Sequence, residues 1–299
     1  MKHIRTLWKF SRPHTIGGTV ISLSTLYVIA SEEHGLGIRA DLWLLSIITG
    51  ICCNIFIVGI NQIQDIEIDR INKPYLPLVS GELTVPTAKI IVYSCAVLSL
   101  IISAFVSFYL MLVIAAALAI GWAYSMPPLY LKQHHLPAAI AVTTVRGLIV
   151  NLGAFMIFNY KINNSLDIPW NVKVLTGFII AFSIAISWFK DLPDVEGDER
   201  HHIKTLAILY SGRFALIAGN IIVMLAYIFS VCVNYINLLD SGATRQNTVL
   251  LYGHASLGLL FILNSFSIKI SSRISIKKFY MRFWLFFFAE YILYLTAYI

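Results

Sequence analysis

Nine of the chain's 15 acidic residues lie in two stretches, Asp65, Glu67, Asp69 and Glu82 in one and Asp191, Asp194, Glu196, Asp198 and Glu199 in the other. In the first, Asn61, Asp65 and Asp69 recur at i, i+4 and i+8, a spacing that lines them along one face of a helix. In the second, Asp191, Asp194 and Asp198 fall at i, i+3 and i+7, with Pro193 and Gly197 marking where that helix ends or distorts. Two such oxygen-rich sets suit a hard cation. Mg²⁺ takes one or two carboxylates and keeps positions for water and substrate phosphate. Like-charged sets repel unless cations lie between them, so a diphosphate bridged by Mg²⁺ would complete the charge balance. Asn61, Asp65 and Asp69, and Asp191, Asp194 and Asp198, are therefore the candidate metal ligands. Glu67 and Glu196 are offset from the two stripes. The competing reading is a pair of solvated loops, which leaves the matched spacing without a cause.

The elements that must position these residues are apolar helices. Hydrophobic residues make up 58% of the chain and charged residues 12%, with a mean hydropathy of +0.78; soluble domains carry roughly a quarter charged residues. The apolar residues come in blocks of spanning length, at about 15–30, 42–60, 90–108, 110–123, 138–158, 174–189, 214–236, 248–268 and 279–299. The third and fourth blocks are separated by almost no loop. The expectation is an all-α polytopic membrane protein of about nine transmembrane helices. Residues 1–299 form a single domain in this reading, with segments 65–88 and 191–211 covering a cavity on one membrane side.

With alternating spans, 17 Lys and Arg residues fall on one side and four (Arg39, Lys161, Lys173, Arg245) on the other, with Arg146 inside a span. Basic residues are retained on the cytoplasmic side, so the N-terminus and both acidic motifs are expected there. The net charge of +7 then reflects topology and anionic lipid, and nucleic acid is not needed to explain it. Cys52, Cys53, Cys95 and Cys232 lie in spans as small apolar residues, suggesting neither a disulfide framework nor a zinc site. His134, His135, His201 and His202 form adjacent pairs, not the i, i+4 pairs of a helical metal site. The first span follows a basic, aromatic stretch and lacks a small-residue cleavage site, so it reads as a helix and not a removable signal peptide; no Ser-rich transit peptide precedes it, which favours a bacterial chain or an already processed one.

The paired motifs resemble those of the UbiA superfamily of intramembrane prenyltransferases, and the expected number of spans agrees. Ser11 to Thr15 (SRPHT), Asn61 to Glu82 (NQIQDIEIDRINKPYLPLVSGE), Arg146-Gly147 with Val150 to Gly153, and Lys190 to Asp198 (KDLPDVEGD) are similar to the homogentisate phytyltransferase branch, known from cyanobacteria and plastids. The resemblance implies a UbiA-type bundle with a cytoplasm-facing cavity, in a bacterial plasma or thylakoid membrane. It also implies Mg²⁺-dependent transfer of a phytyl or geranylgeranyl group from its diphosphate to an aromatic acceptor. With homogentisate, prenylation is coupled to loss of CO₂, in tocopherol and prenylquinone biosynthesis. Lipid, donor and acceptor are the implied partners, with no nucleic acid and no obligate protein partner. Two alternatives stand beside it: another UbiA-type acceptor (hydroxybenzoate, naphthoate or chlorophyllide), and a cation transporter, since intramembrane acids also mark ion pathways.

The resemblance also implies roles for single residues. Asp65, Asp69, Asp191, Asp194 and Lys132 form the catalytic set. Lys132 follows Tyr124-Ser125-Met126-Pro127-Pro128-Leu129, similar to a family loop that contacts diphosphate, with Tyr124 as a hydrogen-bond donor; the alternative is a topological lysine beside a proline turn. Tyr130 stands where the family often has Arg. Arg12 is a candidate for the carboxylate of an aromatic acid, or a membrane anchor. Arg146 is the one Lys or Arg within a span, where an unpaired charge costs on the order of 3 kcal/mol; it faces either a substrate anion or a structural partner such as Glu290. Lys73 and Lys190 adjoin the acidic motifs and neutralise either phosphate or the carboxylates. Asn61 completes the substrate-binding set.

Overall fold

The computed structural model describes residues 2–32 and 39–299. In chain order the helices are α1 (Lys2–Phe10), α2 (Pro13–Glu32), α3 (Ala40–Gln64), α4 (Ile66–Asn72), α5 (Val85–Val106), α6 (Phe108–Ser125) and α7 (His135–Thr143). A π-helix, Thr144–Ala154, runs on from α7 into α8 (Phe155–Asn163). Then follow α9 (Trp170–Phe189), α10 (Val195–Arg200), α11 (Leu206–Leu209), α12 (Gly212–Ser241), α13 (Arg245–Phe266) and α14 (Arg273–Tyr298). Among the described residues no strand forms, and one isolated parallel bridge joins His134 to Lys204.

Seven of these helical segments are long and apolar enough to cross a membrane: α3, α5, α6, the continuous 29-residue run from His135 to Asn163, α9, α12 and α13. The chain is an all-α polytopic membrane protein. Only helices and closed barrels satisfy every backbone donor and acceptor in lipid, which is why apolar blocks of this length resolve into helices. The first and last of the nine expected blocks also coincide with helices, α2 and α14, but these are not among the seven. α14 carries Arg273, Lys277, Lys278 and Arg282 within its first ten residues. The missing loop between the third and fourth blocks is a break of one residue. Ser107 is extended (φ −169°), and its hydroxyl accepts from Tyr109 N–H at 3.2 Å to start α6.

The internal contacts separate the chain into two units. The first comprises Met1–Ser24, Ile38–Ala141 and Asp194–Thr205. Here α3 packs on α5 and α6, and α4 packs on α10. Gly59 of α3 lets α1 approach closely, since a Cβ there would lie 3.0 Å from the Phe10 ring. Gln62 Nε2 donates to the Phe10 carbonyl at 2.6 Å, and Lys9 pairs with Glu82 at 2.8 Å. The amphipathic α1 is thus fastened to the end of α3 that carries the first acidic motif.

The second unit comprises Thr25–Gly37, Val142–Pro193 and Leu206–Ile299. α9 is its most buried helix, packed on the π-helix, α12 and α14. Its core is aromatic: Phe182 stacks on Phe283 at 4.0 Å, and Phe189 meets Phe279 edge-on at 5.2 Å. α13 and α14 are joined by His254 Nε2 and Glu290 Oε1, 2.8 Å apart and both fully buried. All four cysteines are free.

Candidate functional site

The first acidic stripe survives the end of α3. Although α3 stops at Gln64, the i→i−4 hydrogen bonds continue from Asp65 N–H to Asn61 (3.0 Å) and from Asp69 N–H to Asp65 (2.7 Å). Asn61 Nδ2 also donates to Asp65 Oδ2 at 3.0 Å. Glu67 points away and pairs with Arg70, just as the exposed Glu196 pairs with Arg200.

The second stripe is divided. α9 ends at Phe189, Pro193 interrupts the chain, and α10 begins after Asp194. Asp194 and Asp198 belong to the first unit, whereas Lys190 and Asp191 belong to the second, where Lys190 Nζ donates to Asp191 Oδ1 at 2.7 Å. Arg273 Nε donates to the Pro193 carbonyl at 3.1 Å and holds the end of that segment.

Within the first unit the two motifs meet through Lys73 and Asn72. Lys73 Nζ is ion-paired with Asp194 and lies 3.5 Å from Asp69 Oδ1. Asn72 Nδ2 donates to the Asp194 carbonyl at 2.8 Å, and its Oδ1 accepts from Gly197 N–H at 3.0 Å. Asn72 Nδ2 is also 3.5 Å from Asp198 Oδ1. A Cβ on Gly197 would lie 2.7 Å from Asn72 Cγ, so glycine is required for α10 to sit this close to α4. Asn72 was not singled out from the sequence. Its signal was the spacing, because it extends the stripe by i+3 beyond Asp69.

Lys132 reaches the same region from the loop after α6. Its buried ammonium is ion-paired with Asp65 and lies 5.0 Å from the centre of the Tyr130 ring. Tyr130, with a left-handed φ of 41°, turns the chain into the short 3₁₀ turn that carries Lys132. Backbone bonds from Lys204 N–H to Gln133 (2.8 Å) and from His135 N–H to Lys204 (3.1 Å) tie this turn to the segment that follows α10. The half-buried Tyr124 stands at the end of α6. Arg12, at the α1–α2 junction, also takes a left-handed φ, 52°, and lies within electrostatic range of Asp69 and Lys73.

The electrostatics follow from this interleaving. Burial pushes the Asp69 carboxyl above its ordinary range, against the opposing pull of Lys73 and Arg12. Burial alone would lower the Lys73 amine, but Asp194 and Asp69 outweigh it and raise it, so the ammonium persists. Burial, then Asp65 and Asp198, push the Tyr130 phenol up to about 12. Among the described residues no three His, Cys, Asp or Glu side chains converge at metal-ligand spacing. Lysines occupy the space between the acids instead. The donor set still fits a hard cation: it is all oxygen, and Asp194 Oδ1 is buried without a hydrogen-bond partner.

Arg146 lies in the second unit, inside the π-helix. Its guanidinium sits over the rings of Trp284 (4.9 Å) and Phe287 (5.6 Å). The alternative pairing with Glu290 does not form: Glu290 Oε1 lies 2.8 Å from His254 Nε2, and Oε2 is buried without a hydrogen-bond partner.

A profile of the UbiA prenyltransferase family matches residues 20–287. Homogentisate phytyltransferase of Synechocystis sp. is 36% identical to this chain over 99% of its length and 96% of the relative. The chloroplastic homogentisate solanesyltransferase of Arabidopsis thaliana is 32% identical over 96% of this chain and 75% of the relative. The fold is similar to that of a UbiA homolog from Archaeoglobus fulgidus bound to GPP and Mg²⁺, with a TM-score of 0.65 at 17% identity over 97% of this chain and 99% of that one.

Proposed function

We propose, from the premise that this chain belongs to the UbiA prenyltransferase family, that it transfers a phytyl or geranylgeranyl group from its diphosphate to homogentisate, with loss of CO₂. The chain is a prenyltransferase similar to homogentisate phytyltransferase; donor tail, acceptor, decarboxylation and metal are the proposal. The observation that carries the diphosphate site is the interleaved cluster of Asp65, Asp69, Asp194 and Asp198 with Lys73 and Lys132.

In this reading Asn61, Asp65, Asp69, Asp194 and Asp198 would hold Mg²⁺. Bound Mg²⁺ would supply positive charge against the charge that develops on the departing diphosphate. The chain's own cations do related work. Lys132, Lys73 and Arg12 bind the phosphate oxygens, and Tyr124 donates a hydrogen bond. Preorganised charge at the leaving group lowers the barrier to breaking the C–O bond, because it is already in place when the transition state forms. The electron-rich acceptor ring then attacks the allylic carbon. The apolar helices hold the prenyl tail and keep water from the carbocation. Arg12 lies within electrostatic range of Asp69 and Lys73, which favours a diphosphate role for it over the acceptor carboxylate.

Asp65 adjoins the end of α3, and Asp194 and Asp198 lie outside the spans. Ion pathways place their acids near the bilayer midplane, so this placement favours transfer over cation transport. The excess of 17 basic residues over four supports a cytoplasmic site and N-terminus in a bacterial plasma or thylakoid membrane.

The test is turnover by the purified protein in lipid nanodiscs, with Mg²⁺, phytyl and geranylgeranyl diphosphates and a panel of aromatic acids. A prenylated quinol should form, and carboxyl-labelled homogentisate should release its label as CO₂. Product from a different acid alone would replace the acceptor. No prenylated product with any acceptor would overturn the proposal.

A further inference from the structure

Among the described residues Arg146 is a cation with no anion within ion-pair distance. Its helix is a continuous 29-residue span, and it sits eleven residues in from His135, roughly 16 Å along the helix axis at 1.5 Å per residue. Lipid headgroups lie outside a hydrocarbon core about 30 Å thick, so a phosphate from the bilayer surface does not reach it. Among the described residues Arg146 makes no ion pair, and its Nη1 is buried without a hydrogen-bond partner. Glu290, the acid within α14, pairs through Oε1 with His254 and not with Arg146. A guanidinium in a span without a partner is expensive and marks a function.

Its surroundings are built and not incidental. The segment around it is a π-helix of 11 residues, a rare form concentrated at functional sites. Asn151, fully buried, fixes this distortion. Its Nδ2 donates to the Arg146 carbonyl at 2.9 Å, and its Oδ1 accepts from Tyr291 OH at 2.9 Å. The guanidinium carbon lies over the rings of Trp284, at 4.9 Å, and Phe287, at 5.6 Å. A guanidinium with an unpartnered nitrogen beside aromatic rings suits a small planar anion that is itself aromatic. For a diphosphate, Lys73 and Lys132 already stand among the acids.

We infer that Arg146 is the receptor for the carboxylate of the aromatic acceptor, pairing with it through the guanidinium while Trp284 and Phe287 form the apolar wall for the ring. This rests on the aromatic-acid acceptor proposed above and names the residue that recognises it. Arg146 thereby sets acceptor specificity, and Asn151 and Tyr291 are positioning residues that hold its backbone.

Three measurements on wild type, Arg146→Lys and Arg146→Gln test it. The KM for homogentisate should rise at least tenfold in both variants, because lysine lacks the planar fork that grips a carboxylate at two points, while the KM for the prenyl diphosphate changes less than twofold. Methylhydroquinone, the same ring without the carboxylate, should be prenylated with equal KM by all three proteins. Calorimetric titration of homogentisate, without donor or metal, should show binding to wild type that is lost in the variants. A change in donor KM with acceptor KM intact overturns the inference, as does lowered thermal stability with both KM values unchanged or a wild type that binds no aromatic carboxylate. If Arg146→Gln does not fold, Arg146→Lys carries the comparison. If wild type prenylates hydroxybenzoate and not homogentisate, the acceptor proposal falls, and titration with hydroxybenzoate then decides the role of Arg146.

Discussion

Lys73 and Asp194, 121 residues apart in sequence, form the ion pair that joins the two acidic motifs, and the Asp69 carboxylate lies 3.5 Å from the same ammonium. One lysine thus serves two buried acids that would otherwise face each other. Removing one partner of a buried ion pair is more damaging than never having had the pair, because a charge is left uncompensated.

Lys73→Met is therefore expected to destabilise the metal-free protein. Lys73 keeps part of its side chain in solvent, so the full cost of about 3–5 kcal/mol for a buried pair should be discounted to about 1–3 kcal/mol. Thermal unfolding in detergent checks this. Mg²⁺ should raise the Tm of the variant more than that of wild type, since it replaces the missing counterion. An unchanged Tm in the metal-free state would remove Lys73 from this role.

Asp69 gives a pH dependence of definite sign. Burial raises its carboxyl above the ordinary range, so the folded protein holds that proton at a pH where the unfolded chain has lost it. Stability from this group is present below the ordinary carboxylate range and is lost as pH rises towards the raised value. Asp69→Asn should consequently raise the Tm of the metal-free protein at neutral pH and make little difference in acid. The same variant should respond less to Mg²⁺. A lower Tm at neutral pH would show that the charge on Asp69 is stabilising there.

Gly197→Ala tests the closeness of α4 and α10. The added Cβ would press on Asn72, and overpacking of this kind costs about 1–3 kcal/mol. Far-UV circular dichroism should be unchanged, because the spanning helices are not involved, while kcat falls at least tenfold as Asp194 and Asp198 shift from Lys73 and Asn72. Activity equal to wild type would mean that the loop adjusts without moving the acids.

Lys132→Ala removes the ammonium from Asp65. If Lys132 binds diphosphate, the KM for the prenyl donor should rise roughly ten- to a hundredfold, the equivalent of about 1.5–3 kcal/mol for a hydrogen bond to a charged group. The acceptor KM should stay near that of wild type. Equal effects on both would point to general disruption of the loop after α6.

The helices and the acids were legible in the sequence, for one physical reason: lipid tolerates few charges, so those that remain are informative. All nine apolar blocks fall on helices among the described residues, and even the scant separation near Ser107 marked a real break. What could not be read was the pairing. Spacing puts Asp191 and Asp194 on one stripe, but Pro193 breaks the helix between them, and they belong to different units. The ammonium of Lys73 lies against Asp194, far away in sequence, and only tertiary packing of α4 on α10 brings that about. Glu290 looked available to Arg146 because His254, its actual partner, is an ordinary histidine in the sequence. The π-helix leaves no compositional trace, since its residues are those of any apolar span.

That π-helix has a consequence for how the sequence can change. Thr144–Ala154 is wound wider than the α-helices on either side, so a single-residue deletion there can be absorbed by a return to α-helical pitch, without shortening the hydrogen-bonded ladder at either end. Elsewhere in a span the same deletion would rotate the remainder of the helix by about 100° and expose its buried face to lipid. Within 144–154 the loss falls locally on Arg146 and Asn151. Alignment gaps among relatives are thus expected to collect in this stretch, and where they do, the grip on the acceptor should differ while the bundle is conserved.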